Sequence, residues 1–201
     1  NRDHPEFPTQ GSKFSWTSIF SGSFLGGDED YHKHIFDIKW FSPLIRKFIM
    51  HQNIKMGALK TIPVNSVGRS VVPPSARFVM GGSGMPYGEM LRGYEENSVG
   101  PDGYYNAGNI MLKYSLEFRL SLSENPTIYA LTFAEAGNVW EDFNSVDPFE
   151  LKRSAGVGVR LFMPMLGMLG YDMGYGFDNV GNFENDGARG WEHHLIFGMP
   201  F

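Results

Sequence analysis

The chain has 201 residues, 42% of them hydrophobic and 15% aromatic, with 25 glycines, no cysteine and a formal charge of −5. That size supports one domain with a real core, and that apolar content excludes a disordered chain. The acidic balance argues against nucleic acid as a partner, the missing cysteines remove disulfide and thiol chemistry, and no run approaches the ~18 apolar residues of a transmembrane helix.

The first residues, Asn1-Arg2-Asp3-His4, are polar and carry no signal-peptide pattern, so the chain reads as a mature protein or a fragment. Strands follow, marked by alternation at period 2. In 13–24, Phe14, Trp16, Phe20 and Phe24 oppose Lys13, Ser15, Thr17 and Ser21. In 34–41, Phe36, Ile38 and Trp40 oppose Asp37 and Lys39. In 48–58, Phe48, Met50, Ile54 and Met56 oppose His51, Asn53 and Lys55. A long segment, 61–107, then reads as loop.

In 110–121, Ile110, Leu112, Tyr114, Leu116, Phe118 and Leu120 face away from Met111, Lys113, Ser115, Glu117 and Arg119. Segment 127–137 is less regular. In 154–163, Ala155, Val157, Val159, Leu161 and Met163 oppose Ser154, Gly156, Gly158 and Arg160. In 169–178 every large apolar residue lies on one side, and only Gly or Asp on the other. In 191–201, Trp191, Leu195, Phe197, Met199 and Phe201 share a face.

These are eight strands, and their connectors alternate. Residues 43–46, 122–126 and 164–167 are short turns. Residues 61–107, 141–150 and 179–189 are long and polar, and 25–30 is brief but acidic. Short turns at one end and long loops at the other predict an all-β, transmembrane antiparallel β-barrel. A soluble sandwich also alternates. Against it stand strands longer than the usual five or six residues and aromatics near the strand ends, Trp16, Trp40, Tyr171 and Trp191. The chain stops inside its last strand at Phe201, and this looks like the C-terminal recognition signal of bacterial outer-membrane proteins. It would put the short turns in the periplasm and the long loops outside.

Several stretches together resemble the BamA-type family of outer-membrane assembly proteins, with its TamA and two-partner-secretion relatives. They are RDHPEFPTQGSKF (2–14), LRGY (91–94), SLEF (115–118), FAEAGNVW (133–140), KRSAGVGVR (152–160) and the final strand. The wording of 151–178 and the closing IFGMPF look most like the Bacteroidota branch of the family. The resemblance covers the whole chain and implies a 16-stranded barrel preceded by POTRA domains. Residues 1–201 would then be the C-terminal part of the barrel, half of its strands. The POTRA domains and first strands would be absent, and 61–107 would be an extracellular loop folding into the lumen.

The resemblance also implies a role for Arg92, which has no obvious local partner. In the family this arginine contacts acids on the lumen wall, and facing nominates Glu117 and Glu135. Glu135 stands where the family motif usually has Asp. If Glu135 points inward, so do Phe133 and Gly137. Arg offers a planar fork of donors, Gly93 allows close backbone approach, and Tyr94 brings an aromatic body with a polar tip. The plainer alternative is a solvated Arg92 paired with Glu95 or Glu96.

Other motifs carry less. GGSGMPYGE (81–89) lacks the Gly-Lys-Ser/Thr of a phosphate loop and reads as a flexible approach to Arg92. His193 and His194 face opposite ways on a strand, cannot share a metal, and read as interfacial. No Ser-His-Asp arrangement is supported. No enzyme, cofactor or metal site is expected.

The function implied is insertion and folding of β-barrel proteins into the bacterial outer membrane through a lateral gate. Strand 191–201 would be one half of the gate, with Gly198 and Pro200 weakening its closure. The expected partners are outer-membrane lipids and lipopolysaccharide, unfolded outer-membrane proteins and accessory assembly lipoproteins. The alternatives are TamA-like assembly, a two-partner-secretion pore and a passive eight-strand anchor.

Overall fold

A pleated strand throws successive side chains to opposite faces, so each alternating segment has one apolar and one polar side. The computed structural model joins all eight into one antiparallel sheet. It describes residues 3, 7–22, 29–45, 47–62, 72–101, 106–163, 167–180 and 190–198. The strands are β1 (Gly11–Ser21), β2 (Tyr31–Ile45), β3 (Phe48–Thr61), β4 (Ile110–Glu124), β5 (Thr127–Trp140), β6 (Lys152–Met163), β7 (Gly167–Gly176) and β8 (Trp191–Gly198). They lie in chain order, with β1 and β8 at the edges among the described residues. Phe24, Arg46, Pro164, Met165, Leu166, Met199, Pro200 and Phe201 lie outside the described residues.

The register carries the two faces across the sheet. One outer row runs Phe48, Leu120, Ala130, Val159, Tyr171, Leu195. One inner row runs His51, Glu117, Phe133, Gly156, Gly174, Glu192. Large apolar side chains stay bare on the outer face, with Trp16 61% and Leu195 61% exposed. A soluble domain rarely leaves so wide an apolar face in water. In hydrocarbon that face is favoured, because the ladder already satisfies the backbone.

Most strands outrun their sequence patterns by a few residues, and β2 and β4 run well into expected turns. The expected turn at 43–46 is partly strand, since β2 continues to Ile45 with a register shift between Pro43 and Ile45. β1 pairs only as far as Phe41, so the amide that Pro43 lacks costs no bond on that side. β4 likewise runs past a shift between Ser121 and Ser123 to Glu124, leaving Asn125-Pro126 as the turn.

The inner face is covered by residues 72–101. Phe78, Met80, Leu91, Tyr94 and Val99 of this loop pack on Leu59, Met111 and Val139 of the sheet. Burying each large apolar side chain contributes roughly 1.5–3 kcal/mol, which favours the loop lying on the sheet. Nearer the turn end, Tyr129, Leu131, Phe133 and Met168 form a second cluster. Phe7 joins it, its ring 4.8 Å from that of Tyr129.

Candidate functional site

The loop is held in shape by its own backbone hydrogen bonds. Val79, Gly81, Gly82, Glu89 and Leu91 exchange backbone hydrogen bonds, and the Val99 N–H donates to Met80 O at 3.0 Å. The Glu96 carboxylate accepts from the N–H groups of Ser83 (2.6 Å) and Gly84 (3.0 Å). Segment 81–89 is therefore a closed, hydrogen-bonded turn rather than the flexible approach its glycines suggested. Glu96 serves that turn. Gly93 has φ +87, a left-handed conformation that glycine adopts without strain. A Cβ on Gly174 would come within 2.7 Å of the Gly93 nitrogen, so the bare backbone of β7 is what lets the loop settle.

This path delivers Arg92 to the inner face, where it is 1% exposed. Its Nη2 donates to Glu117 Oε1 and Glu135 Oε1, both at 2.7 Å. Its Nη1 donates to Asp172 Oδ2 at 3.1 Å, and its backbone N–H donates to Glu135 Oε2 at 2.9 Å. The guanidinium also lies over the ring of Phe133, 3.7 Å from its centroid. Burial works against the charge, but Glu135, Glu117 and Asp172 outweigh it and hold the guanidinium above its ordinary pKa range.

Each acid has a second cation. Glu117 accepts from Arg119 Nη2 at 2.6 Å, and Asp172 from Arg160 Nη2 at 2.6 Å. Glu135 lies 3.5 Å from Lys113 Nζ and accepts from Ser115 Oγ at 3.0 Å. His51 Nδ1 lies 3.3 Å from Glu117 Oε2. Glu89, from the loop, pairs with Lys55 and lies 3.6 Å from Lys113. Buried charges persist only when paired and hydrogen-bonded in this way. A cavity of about 210 Å³, bordered by many of these charged residues, opens beside the network and reaches Ile196 and Gly198 of β8.

The neighbours of Arg92 extend the hold. The Tyr94 hydroxyl donates to Arg153 O at 2.6 Å and accepts from the Asp178 N–H at 3.3 Å. Burial pushes its phenol up to about 12. The Gly93 N–H donates to His194 Nε2 at 2.9 Å.

Of the residues singled out in the sequence, Arg92, Glu117, Glu135 and Phe133 meet in one cluster, and Gly93 and Tyr94 lie on β6–β8. Gly137 lies beneath Met80, whose sulfur a Cβ there would approach to 2.7 Å. Trp191, Leu195 and Phe197 are exposed on the outer face of β8, and Gly198 ends it. His194 is not interfacial. It is buried on the inner face, while His193 is outside with its Nδ1 2.6 Å from the Tyr171 hydroxyl. Sequence reasoning missed Asp172, Arg160, Arg119, Lys113 and His194 as members of the site. All five carried the signal that found Glu117, a place on the polar parity of their strands.

An antiparallel sheet with a bare apolar outer face and a charged, loop-covered inner face is the wall of an outer-membrane β-barrel. The chain belongs to the Omp85 superfamily, whose domain matches residues 1–194. It is similar to the outer membrane protein assembly factor BamA of Nitratidesulfovibrio vulgaris, with 27% identity over 194 residues, 93% of this chain and 23% of that protein. Its fold is similar to the crystal structure of BamA from Haemophilus ducreyi lacking POTRA domains 1–3. The TM-score is 0.70 at 19% identity, over 98% of this chain and 40% of that one. The chain thus spans less than a quarter of its curated relative.

Proposed function

We propose that the chain is the C-terminal half of the barrel of an outer-membrane assembly factor, and that it helps insert and fold other β-barrel proteins. In this reading 61–107 is an extracellular loop turned back into the lumen, where Arg92 holds it on β4, β5 and β7. The observation that carries the reading is the hold on the loop: Arg92 binds acids on β4, β5 and β7, and the next residue, Gly93, donates to His194 of β8.

An unpaired strand edge presents a row of N–H and C=O groups, a template for a new strand. In lipid every backbone group needs a partner, so an incoming strand that adds to β8 trades one satisfied ladder for another. The sheet works as a scaffold, and no bond of the substrate is made or broken by a side chain. The partners in this reading are unfolded outer-membrane proteins, the surrounding lipids and lipopolysaccharide, and accessory lipoproteins.

The test uses the full-length protein in liposomes with an unfolded β-barrel substrate, its folding read by heat-modifiable gel mobility. Accelerated folding, lost when β8 is disulfide-locked to its neighbour across the seam, supports the reading. Passage of an unfolded polypeptide through the barrel, without accelerated folding, overturns it in favour of a transport pore.

A further inference from the structure

The loop and the edge strand meet at a bond with unusual chemistry. The Gly93 N–H donates to His194 Nε2 at 2.9 Å. Gly93 cannot easily turn its amide elsewhere. Its φ is +87, and a Cβ on it would lie 2.9 Å from Gly176 N and 2.9 Å from the Tyr175 carbonyl carbon. The preceding residue is fixed too, through the side chain and amide of Arg92. On the other side, His194 is 6% exposed and directly opposite Asp172 in the β7–β8 register. To accept from an amide, Nε2 must keep its lone pair. The ring must therefore be neutral, with its proton on Nδ1.

We propose that His194 is a positioning residue that docks β8 on the held loop, and that protonation of its Nε2 undocks β8 while leaving the loop in place. This rests on the reading of β8 as the seam strand of the barrel. A proton from solvent would take the lone pair that now receives the Gly93 hydrogen. Two N–H groups would then face each other, and the buried amide would lose its acceptor. The charged groups around the ring are Asp172 on β7, Glu192 on β8 itself, and Glu96 and Arg92 in the loop. Asp172 and Glu192 are carboxylates that an imidazolium can turn towards, so the charged ring has acceptors off the loop. The Arg92 bonds do not titrate with it, because a guanidinium stays charged throughout this range. Mild acid would therefore separate β8 from the loop without releasing the loop from β4, β5 and β7.

The test is amide hydrogen exchange of the full-length protein in detergent micelles, with rates corrected for the intrinsic effect of pH. The Gly93 amide reports the bond, and the Arg92 amide, which donates to Glu135, serves as the internal control. On going from about pH 7.5 to about pH 5, across the ordinary imidazole pKa of about 6.5, Gly93 protection should fall about tenfold, the worth of one net hydrogen bond. Arg92 protection should stay unchanged. His194→Gln supplies an amide oxygen that accepts but does not titrate, so Gly93 should stay protected at both pH values. His194→Leu should leave Gly93 exposed at both. If His194→Gln shows the same pH response as the parent protein, or if Gly93 and Arg92 lose protection together, the proposal is wrong. The exchange is read without any substrate, so a failure of assembly activity in liposomes would not touch this result.

Discussion

The guanidinium of Arg92 lies on the ring of Phe133, Cζ 3.7 Å from the centroid, while its nitrogens reach acids on three strands. The ring is the floor of the site and the carboxylates are its walls. That geometry uses both properties in which arginine differs from lysine, the flat face and the fork.

Removing Arg92 should free the loop more than it harms the sheet. Each of its three acids keeps a second cation, Arg119, Lys113 or Arg160. Arg92→Ala should cost about 3 kcal/mol, the low end for breaking a buried pair. It should also make residues 72–101 sensitive to protease while β4–β7 stay protected. Arg92→Lys should retain the charge and recover only part of the loss. Proteolysis followed by mass spectrometry reads both, and cleavage spread evenly over loop and strands would contradict the arrangement.

Glu135 uses both carboxylate oxygens on one residue, Oε1 for the Arg92 side chain and Oε2 for its backbone N–H. Shortening it by a methylene, about 1.5 Å, should forfeit one of these bonds. Glu135→Asp should therefore lower the unfolding free energy by about 1–2 kcal/mol. Urea unfolding of the refolded protein is the measurement, and an unchanged midpoint would show that the extra length is not used.

Close approach at Gly174 gives a sharper contrast. A Cβ there would meet Gly93 N at 2.7 Å, whereas one on Gly198 meets nothing within 4 Å among the described residues. Gly174→Ala should cost about 1–3 kcal/mol through displacement of the loop. Gly198→Ala should stay within about 0.5 kcal/mol of the parent. Equal effects of the two in thermal unfolding would remove the packing argument.

Tyr94 predicts a response at alkaline pH. Its folded pKa is raised, from 10.0 to about 12, by burial. The neutral phenol is thus favoured by the fold. That contribution is complete below about 10 and is lost as pH rises towards about 12. Tyr94→Phe should remove this alkaline slope. It should also cost about 1 kcal/mol at neutral pH, because Arg153 O loses its donor. Unfolding midpoints across that range compare the two proteins directly.

Alternation marked the eight strands and sorted their residues into two faces, because the pleat ties parity to side. Thus 127–137 put Phe133, Glu135 and Gly137 on one side before any contact was known. Motif resemblance supplied the role of Arg92, which parity could not. What only the tertiary structure decided is which inward residues meet. Asp172 is 80 residues from Arg92 and His194 is 101 from Gly93. Both had the right parity, yet parity says nothing of height along a strand or of where a loop comes down. Those depend on the register of seven strand pairs and on the bare backbone at Gly174, and they are set only when all eight strands are assembled and the loop is packed against them.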